Sequence, residues 1–339
     1  MSAPYQSPTT DDRVLWDLHL SAYPLAAALA ADELGVFDAL AATPADVDAF
    51  SHRTGFAHRG VRVLLPMLAA MGLLSVREGV YSVTSAARNF LLSSSDYSWG
   101  PVLQVMRQST PASAAIVAAL RRDAKAENEP IEAWEGGDIG VEMAGLMAGY
   151  MHCHSLAAAV GMARADLFAG VRRLLDVGGG SGCYSIALAQ VRGDLRGTVM
   201  DLESMCQLAE GYIARGGVES QVDTLALNMF RDPWPKGYDG MLFSNIFHDW
   251  DFETCRKLAA WAFEALEAGG RIFLHEALLD DARDGPLTLA AFSIQMLLTT
   301  RGQQFTLGDL ADILRQAGFV DVRHASTHAY FSVVSARKP

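Results

Sequence analysis

Val177-Gly178-Gly179-Gly180-Ser181-Gly182 follows an apolar run, RRLLDV, and opens a helical one, CYSIALAQVR. A backbone without side chains turns tightly and presses against a nucleotide. Gly178 and Gly180 fit the first two glycines of the dinucleotide pattern G-x-G-x-x-G, whereas its third position is Cys183. The acidic ribose partner expected about 20 positions on is Asp201, at the end of GTVMDL. NAD and other adenosine cofactors both remain open, because a pyrophosphate needs the complete turn and an unphosphorylated adenosine does not. His248 follows the apolar run YDGMLFSN, within Asn245-Ile246-Phe247-His248-Asp249-Trp250. Open α/β sheets bind ligands at the carboxyl ends of their strands, and an imidazole there is poised to take a proton near neutral pH. The alternative is a histidine that merely caps the next helix. Glu276 ends the following run, RIFLHEALL, at the same edge, and either serves the site or is an ordinary exposed carboxylate. His275 alternates to the other face. Asp251 reads as the N-cap of FETCRKL.

These residues need a sheet to hold them. From residue 171, the short apolar runs GTVMDL, VDTLALNMF, YDGMLFSN and RIFLHEALL suit buried parallel strands, and helical stretches separate them. FETCRKLAAWAFEALEAGG stops on a Gly pair, LGDLADILRQAGF is another helix, and VDVRHAS with YFSVVSARK predicts a closing hairpin. Such alternation indicates a doubly wound sheet. Residues 14–165 are instead helical, with a break near Pro24 and a loop over Ala126–Asp138. Two helical segments, ADVDAFSHRTG and HRGVRVLLPMLAAMGLL, lead into a hairpin turning at Gly79, which is the outline of a winged helix.

The chain has 339 residues, 50% of them hydrophobic and 19% charged, enough for two packed domains. Its net charge of −12 disfavours nucleic acid. No run of about 18 uncharged apolar residues predicts a membrane span. The start, MSAPYQSPTTDDR, reads as flexible and polar, without the features of a signal peptide. The four cysteines, Cys153, Cys183, Cys206 and Cys255, form no C-x-x-C pair, and are expected to be free thiols of a cytoplasmic protein. His152 and His154 are two apart on a helix and diverge, so no metal is expected. Met143, Met147 and Met151 recur at helical spacing, as core or as a pocket wall.

LLDVGGGSG, MDLES, LNMFRDPWP, FHDWDFETCRKL and RGQQFTLGDLADILRQAGF occur in this order, with YMHCHSLAA ahead of them. Together they resemble the motifs of the plant-type and bacterial small-molecule O-methyltransferases over nearly the whole chain. The resemblance implies a Rossmann-like seven-stranded α/β methyltransferase sheet with an N-terminal, mainly helical winged-helix dimerisation domain. The expected divisions are 1–100 for dimerisation, 101–165 for linker and pocket helices, and 166–339 for the sheet. The implied cofactor is S-adenosyl-L-methionine, leaving as S-adenosyl-L-homocysteine, and the implied partners are a small-molecule acceptor and a second copy of the chain.

Carried over by motif, Asp176, Gly178, Gly180, Asp201 and Leu202 contact the cofactor, as do Asn228, Met229, Phe230 and Ser244. His248 is the general base and Glu276 orients its ring. Met147, Met151, Asn245, Asp249, Met296 and Gln304 line the acceptor pocket. Two departures bear on this. Asn228 stands where the family has Asp near adenine, and Gln304 stands where many plant members have a second orienting Glu. The lost charge at Gln304 leaves nitrogen or carbon acceptors open. Relatives that bind the cofactor but catalyse decarboxylation or hydroxylation often lack the histidine. A winged-helix DNA regulator would use His58, Arg59 and Arg62 in an apolar segment, and an NAD oxidoreductase would want glycine at Cys183.

Overall fold

The structure, a computed structural model, describes residues 4–121, 135–136 and 140–339. Apart from Glu135 and Gly136, the loop expected over Ala126–Asp138 lies outside the described residues. The chain forms two compact units. One takes the described residues of Met1–Arg13, Glu129–Ala277 and Gly308–Pro339, and the other those of Val14–Asn128 and Leu278–Leu307. This grouping differs from the expected divisions at 100 and 165: the long helix Val141–Arg164 groups with the sheet, and the helix Leu287–Thr299 groups with the N-terminal helices.

The first unit is built on a seven-stranded sheet. Its strands are β3 (Arg173–Val177), β4 (Arg196–Asp201), β5 (Val222–Ala226), β6 (Gly240–Ser244), β7 (Arg271–Ala277), β8 (Val320–His328) and β9 (Phe331–Arg337). They lie in the order β5-β4-β3-β6-β7-β9-β8. β3 to β7 are parallel, whereas β9 inserts antiparallel between β7 and β8. The central strands are covered on both faces, so β3, β6 and β7 are almost wholly buried. On one face Leu174, Leu242, Phe273 and Val333 pack with Phe168, Tyr184 and Leu188, and further along the same face Val199 and Val222 meet Ile186 and Ile213. Each such side chain contributes about 1.5–3 kcal/mol when fully buried. Asp251 caps the helix Phe252–Ala265, accepting from Thr254 N at 2.8 Å. The order reverses between β3 and β6, and this is the position at which an open sheet leaves a crevice at its carboxyl edge.

The N-terminal segment departs from a loose polar start. Tyr5 packs against both core clusters and its N donates to Gln190 Oε1 at 2.8 Å, while Arg164 bonds Ser7 and Asp12 pairs with His328 at 3.1 Å.

In the second unit the helix His58–Ala70 is buried along most of its length. It is followed by the hairpin of β1 (Leu74–Arg77) and β2 (Val80–Val83), whose turn residues Glu78 and Gly79 both have positive φ, 51° and 79°. That is the two-residue turn favoured by strand twist. Arg59 donates to the carbonyls of Met296, Thr300 and Gly302 at 2.8–3.1 Å, tying down the end of the helix Leu287–Thr299. Its guanidinium serves the fold in place of a phosphate. A helix as apolar as Leu287–Thr299, with Leu289, Ala290 and Ile294 buried, must be covered, and that is why it joins this unit. By length and composition Arg13–Glu33 is apolar enough to cross a membrane. It is broken at Ser21, and Ala26, Ala27, Leu29 and Ala30 are buried in the unit's core.

Candidate active site

β3 runs straight into the glycine turn. Gly178 (φ 66°) donates its N–H to Met200 O at 2.8 Å, and a Cβ there would fall 2.5 Å from Ile246 Cδ1. The turn is therefore wedged between the ends of β4 and β6, and its positive φ favours glycine. Gly180 (φ 57°) donates to Asp201 Oδ2 at 2.8 Å, and Leu202 N donates to Asp201 Oδ1 at 2.7 Å. Asp201 thus clamps the turn. Burial pushes its pKa up to about 6, against the pull of those two amides. The carboxylate form predominates at neutral pH, with lone pairs left for further donors. Asp176 sits beneath the turn rather than on it: fully buried, it accepts from Ser185 Oγ at 2.7 Å, and burial raises its pKa to about 7. Leu202 packs beside Met205 and Ala148.

The second half of the site hangs on Glu276. Its Oε1 accepts from Ile246 N at 3.1 Å and Phe247 N at 2.9 Å, which fixes the chain leaving β6. Its Oε2 lies 3.1 Å from His248 Nδ1. Both side chains are buried, at 1% and 5% exposure, so the pair works in a low dielectric. His248 Nε2 is the other edge of the ring, 3.7 Å from Asp249 Oδ1. Burial alone would lower the pKa of His248; the Glu276 carboxylate, then Asp249, outweigh it and push it up to about 9. Asp249 is itself raised to about 6, by burial, against the opposing charge of His248. Neither Asp249 nor His248 caps the following helix, since Asp251 does so.

The remaining expected residues divide. Asn228 is occupied by its own turn: Oδ1 accepts from Phe230 N at 2.9 Å and Nδ2 donates to Glu135 O at 3.0 Å. That amide braces the loop, which an Asp in its place could do on only one side. Met229 and Phe230 are partly buried, the latter edge-on to Trp250 at 4.7 Å. Met147 and Met151 are partly buried on the long helix, and Met151 Sδ comes within 3.9 Å of where a Cβ on Gly180 would lie. Met151 therefore stands over the glycine turn. Met296 and Gln304 belong to the other unit, where both are buried and Gln304 N donates to Ser293 Oγ at 2.9 Å. Ser244 Oγ lies 3.0 Å from His275 Nδ1, and Asn245 adopts φ 54° with its Oδ1 buried and without a partner.

Three residues beyond those expected shape the site. Ser185 holds Asp176. His275 bonds Ser244; strand alternation put it on the face away from Glu276 but did not name its partners. His152 bonds Ser181 Oγ at 2.9 Å and stacks on Tyr212 at 4.3 Å, while His154 meets Tyr150, so the two imidazoles diverge.

A family profile described as an O-methyltransferase domain matches residues 135–320, and one described as an O-methyltransferase dimerisation domain matches 16–93. The chain is 37% identical, over 311 residues covering 91% of it and 90% of the relative, to the 3-hydroxy-5-methyl-1-naphthoate 3-O-methyltransferase of Streptomyces sahachiroi. An O-methyltransferase family 2 protein from Planctomyces limnophilus, solved in complex with apigenin, has a TM-score of 0.89 at 28% identity over 100% of both chains. An O-methyltransferase from neocarzinostatin biosynthesis, solved with S-adenosylmethionine and 2-hydroxy-5-methyl naphthoic acid, has a TM-score of 0.58 at 25% identity over 94% of this chain and 96% of that one.

Proposed function

This chain belongs to the O-methyltransferase family that carries an N-terminal dimerisation domain, and from that premise we propose that it methylates the hydroxyl of a small aromatic or polyketide-like metabolite, with His248 as general base. It is an S-adenosylmethionine-dependent methyltransferase. The acceptor class is supported by relatives whose names or bound ligands are hydroxynaphthoates and a flavone. The observation that carries the assignment of the base is the buried Glu276–His248 pair, 3.1 Å apart, on the strand edge beside the glycine turn.

The residues fit the cofactor. Asp201 offers lone pairs to ribose hydroxyls, the glycine turn leaves room for an adenosine, and Asn245 Oδ1 is a buried acceptor in want of a donor. When bound, the cofactor supplies a methyl group on a sulfonium, open to in-line attack. The chain's own work is to free the attacking lone pair. A phenol with a pKa of about 10 keeps its proton at neutral pH, and the neutral form of His248, whose share grows as the pH rises toward its pKa of about 9, removes it through Nε2. Glu276 holds Nδ1 and stabilises the imidazolium that results, as a buried carboxylate does for a histidine base. Incubation with S-adenosylmethionine and a panel of hydroxynaphthoates and flavones is expected to yield the O-methyl ether and S-adenosylhomocysteine. Transfer only to nitrogen or carbon would overturn the hydroxyl assignment.

For the cofactor side, Asp201→Asn is expected to weaken S-adenosylhomocysteine binding about tenfold by calorimetry, since a charge-assisted hydrogen bond is lost while the shape is kept. For assembly, Val14, Leu15 and Leu18 are 71%, 63% and 69% exposed on the helix Arg13–Leu20, a contiguous apolar face on the helix that runs into the matched dimerisation region at residue 16. A second copy of the chain is the proposed cover. The double variant Leu15→Glu, Leu18→Glu is expected to run as a monomer in light scattering; a dimer of unchanged mass would place the interface elsewhere.

A further inference from the structure

From Gly178 to Gly182 the chain is glycine except at Ser181, and Gly178, Gly180 and Gly182 all have positive φ. A backbone so free needs outside bonds to hold one course. On one side β4 supplies them, through Met200 O and Asp201 Oδ2. Ser181 supplies the other hold. It is 3% exposed, and its hydroxyl is hydrogen-bonded to His152 Nδ1 at 2.9 Å. His152 comes from the helix Val141–Arg164, so the turn is gripped from a second direction. The imidazole is itself fixed. It stacks on Tyr212 of the helix Glu203–Gly216, with centroids 4.3 Å apart and planes 28° from parallel, and the Arg215 guanidinium lies 4.2 Å from the centre of the same Tyr212 ring. Burial first, then the charge of Arg215, lowers the pKa of His152, so the ring is neutral at neutral pH. A hydroxyl both donates and accepts, and the bond to Ser181 forms with either tautomer.

His152 also sits where the packing of its helix changes. Downstream, Ser155, Ala158, Ala159, Val160 and Met162 are buried. Upstream, between residues 142 and 151, only Ala144 and Ala148 are buried, and they pack on Met205. Met143, Leu146 and Tyr150 are exposed. Two alanine methyls bury little apolar surface, so a hydrogen bond at the boundary carries more of the upstream half's position. Met151, the residue before His152, has its Sδ 3.9 Å from where a Cβ on Gly180 would lie. The bond to Ser181 therefore fixes two things at once: the course of the turn and the height of Met151 above it.

We infer that His152 is a positioning residue for cofactor binding: through Ser181 it holds the glycine turn in its binding conformation and holds Met151 above it. This rests on the reading that the adenosine lies over the glycine turn. Two substitutions part the bond from the ring. His152→Phe keeps a ring for Tyr212 and loses the bond, whereas His152→Asn loses the ring and keeps a polar atom at the place of Nδ1. By calorimetry, His152→Phe is expected to weaken S-adenosylhomocysteine about tenfold, because the turn spends less time in its binding conformation. KM for S-adenosylmethionine is expected to rise by a similar factor while kcat, set at His248 and Glu276, stays within about twofold. His152→Asn is expected to recover most of the loss. Ser181→Ala should match His152→Phe, and the two changes combined should be no worse than either alone. Unchanged affinity in His152→Phe would overturn the proposal. So would a larger loss in His152→Asn than in His152→Phe, which would make ring packing the cause, and so would losses that multiply when the changes are combined. Ser181→Ala removes a single oxygen, so it tests the bond even if a substitution at 152 folds poorly. If the unaltered protein binds no S-adenosylhomocysteine, the placement of the adenosine fails, a result distinct from any of these.

Discussion

His248→Ala is expected to lower kcat about 100-fold or more while S-adenosylhomocysteine affinity stays within about twofold. The split follows from where the ring sits. His248 lies past the end of β6, held by Glu276, whereas the glycine turn is held by Asp201 and Met200. Removing the imidazole takes away the proton acceptor and leaves the turn's own bonds intact. Glu276 keeps its two backbone donors, Ile246 N and Phe247 N, so its carboxylate is not stranded in the core. Single-turnover rates with saturating acceptor, alongside calorimetry, separate chemistry from binding. A kcat that does not change would shift the base to another group; Asp249, with its pKa raised to about 6, is the neighbour best suited. A parallel fall in cofactor affinity would instead make His248 a structural support.

Some of this arrangement is legible from residue types and some is not. The glycine turn is legible because the chain reverses there at positive φ and close against Ile246, a conformation that favours glycine. Asp201 and Glu276 are legible because each ends an apolar run, and run ends at one edge of a parallel sheet converge. Asp251 is legible as a cap because its carboxylate has an amide three residues on. The closing hairpin is legible as a hairpin, but its alternation is silent on which strand enters the sheet; β9 does so because it is the fully covered one, while β8 carries exposed residues and irregular register at the edge. The helix Leu287–Thr299 announces burial on all sides, not the partner that buries it, and so its membership of the N-terminal unit was beyond reach. Tyr5 was hidden by polar neighbours. The contact between His275 and Thr327 joins residues 52 apart, and no local pattern encodes such a bond. Asn228 is legible as a motif position that suggests a ligand contact, but not as the brace of its own loop, which its amide makes through one donor and one acceptor.

Glu276→Gln is expected to move the acid limb of the kcat/KM profile downward by roughly 2 pH units and to lower its plateau about tenfold or more. The sign follows from the charges around His248. Burial depresses its pKa, and the carboxylates of Glu276 and Asp249 more than reverse that, to about 9. Only the neutral ring can take a proton, so the unaltered enzyme gains activity as pH rises through that value. With Gln at 276 the largest opposing charge is gone, burial regains weight, and the ring is neutral at lower pH. More of the enzyme is then competent at neutral pH, yet each competent molecule is slower: the ring is less basic and its imidazolium is no longer paired. The two effects separate in a full profile and blur at any single pH. Acceptor ionisation, with a pKa of about 10 for a phenol, also shapes the alkaline side. Measuring both enzymes on the same acceptor cancels that contribution. Gln keeps an oxygen for the Ile246 and Phe247 amides, so the chain leaving β6 should hold its course. A limb that stays put with only the plateau lowered would mean that Glu276 aligns the ring without setting its charge. A limb that moves upward would contradict the electrostatic account of the pair.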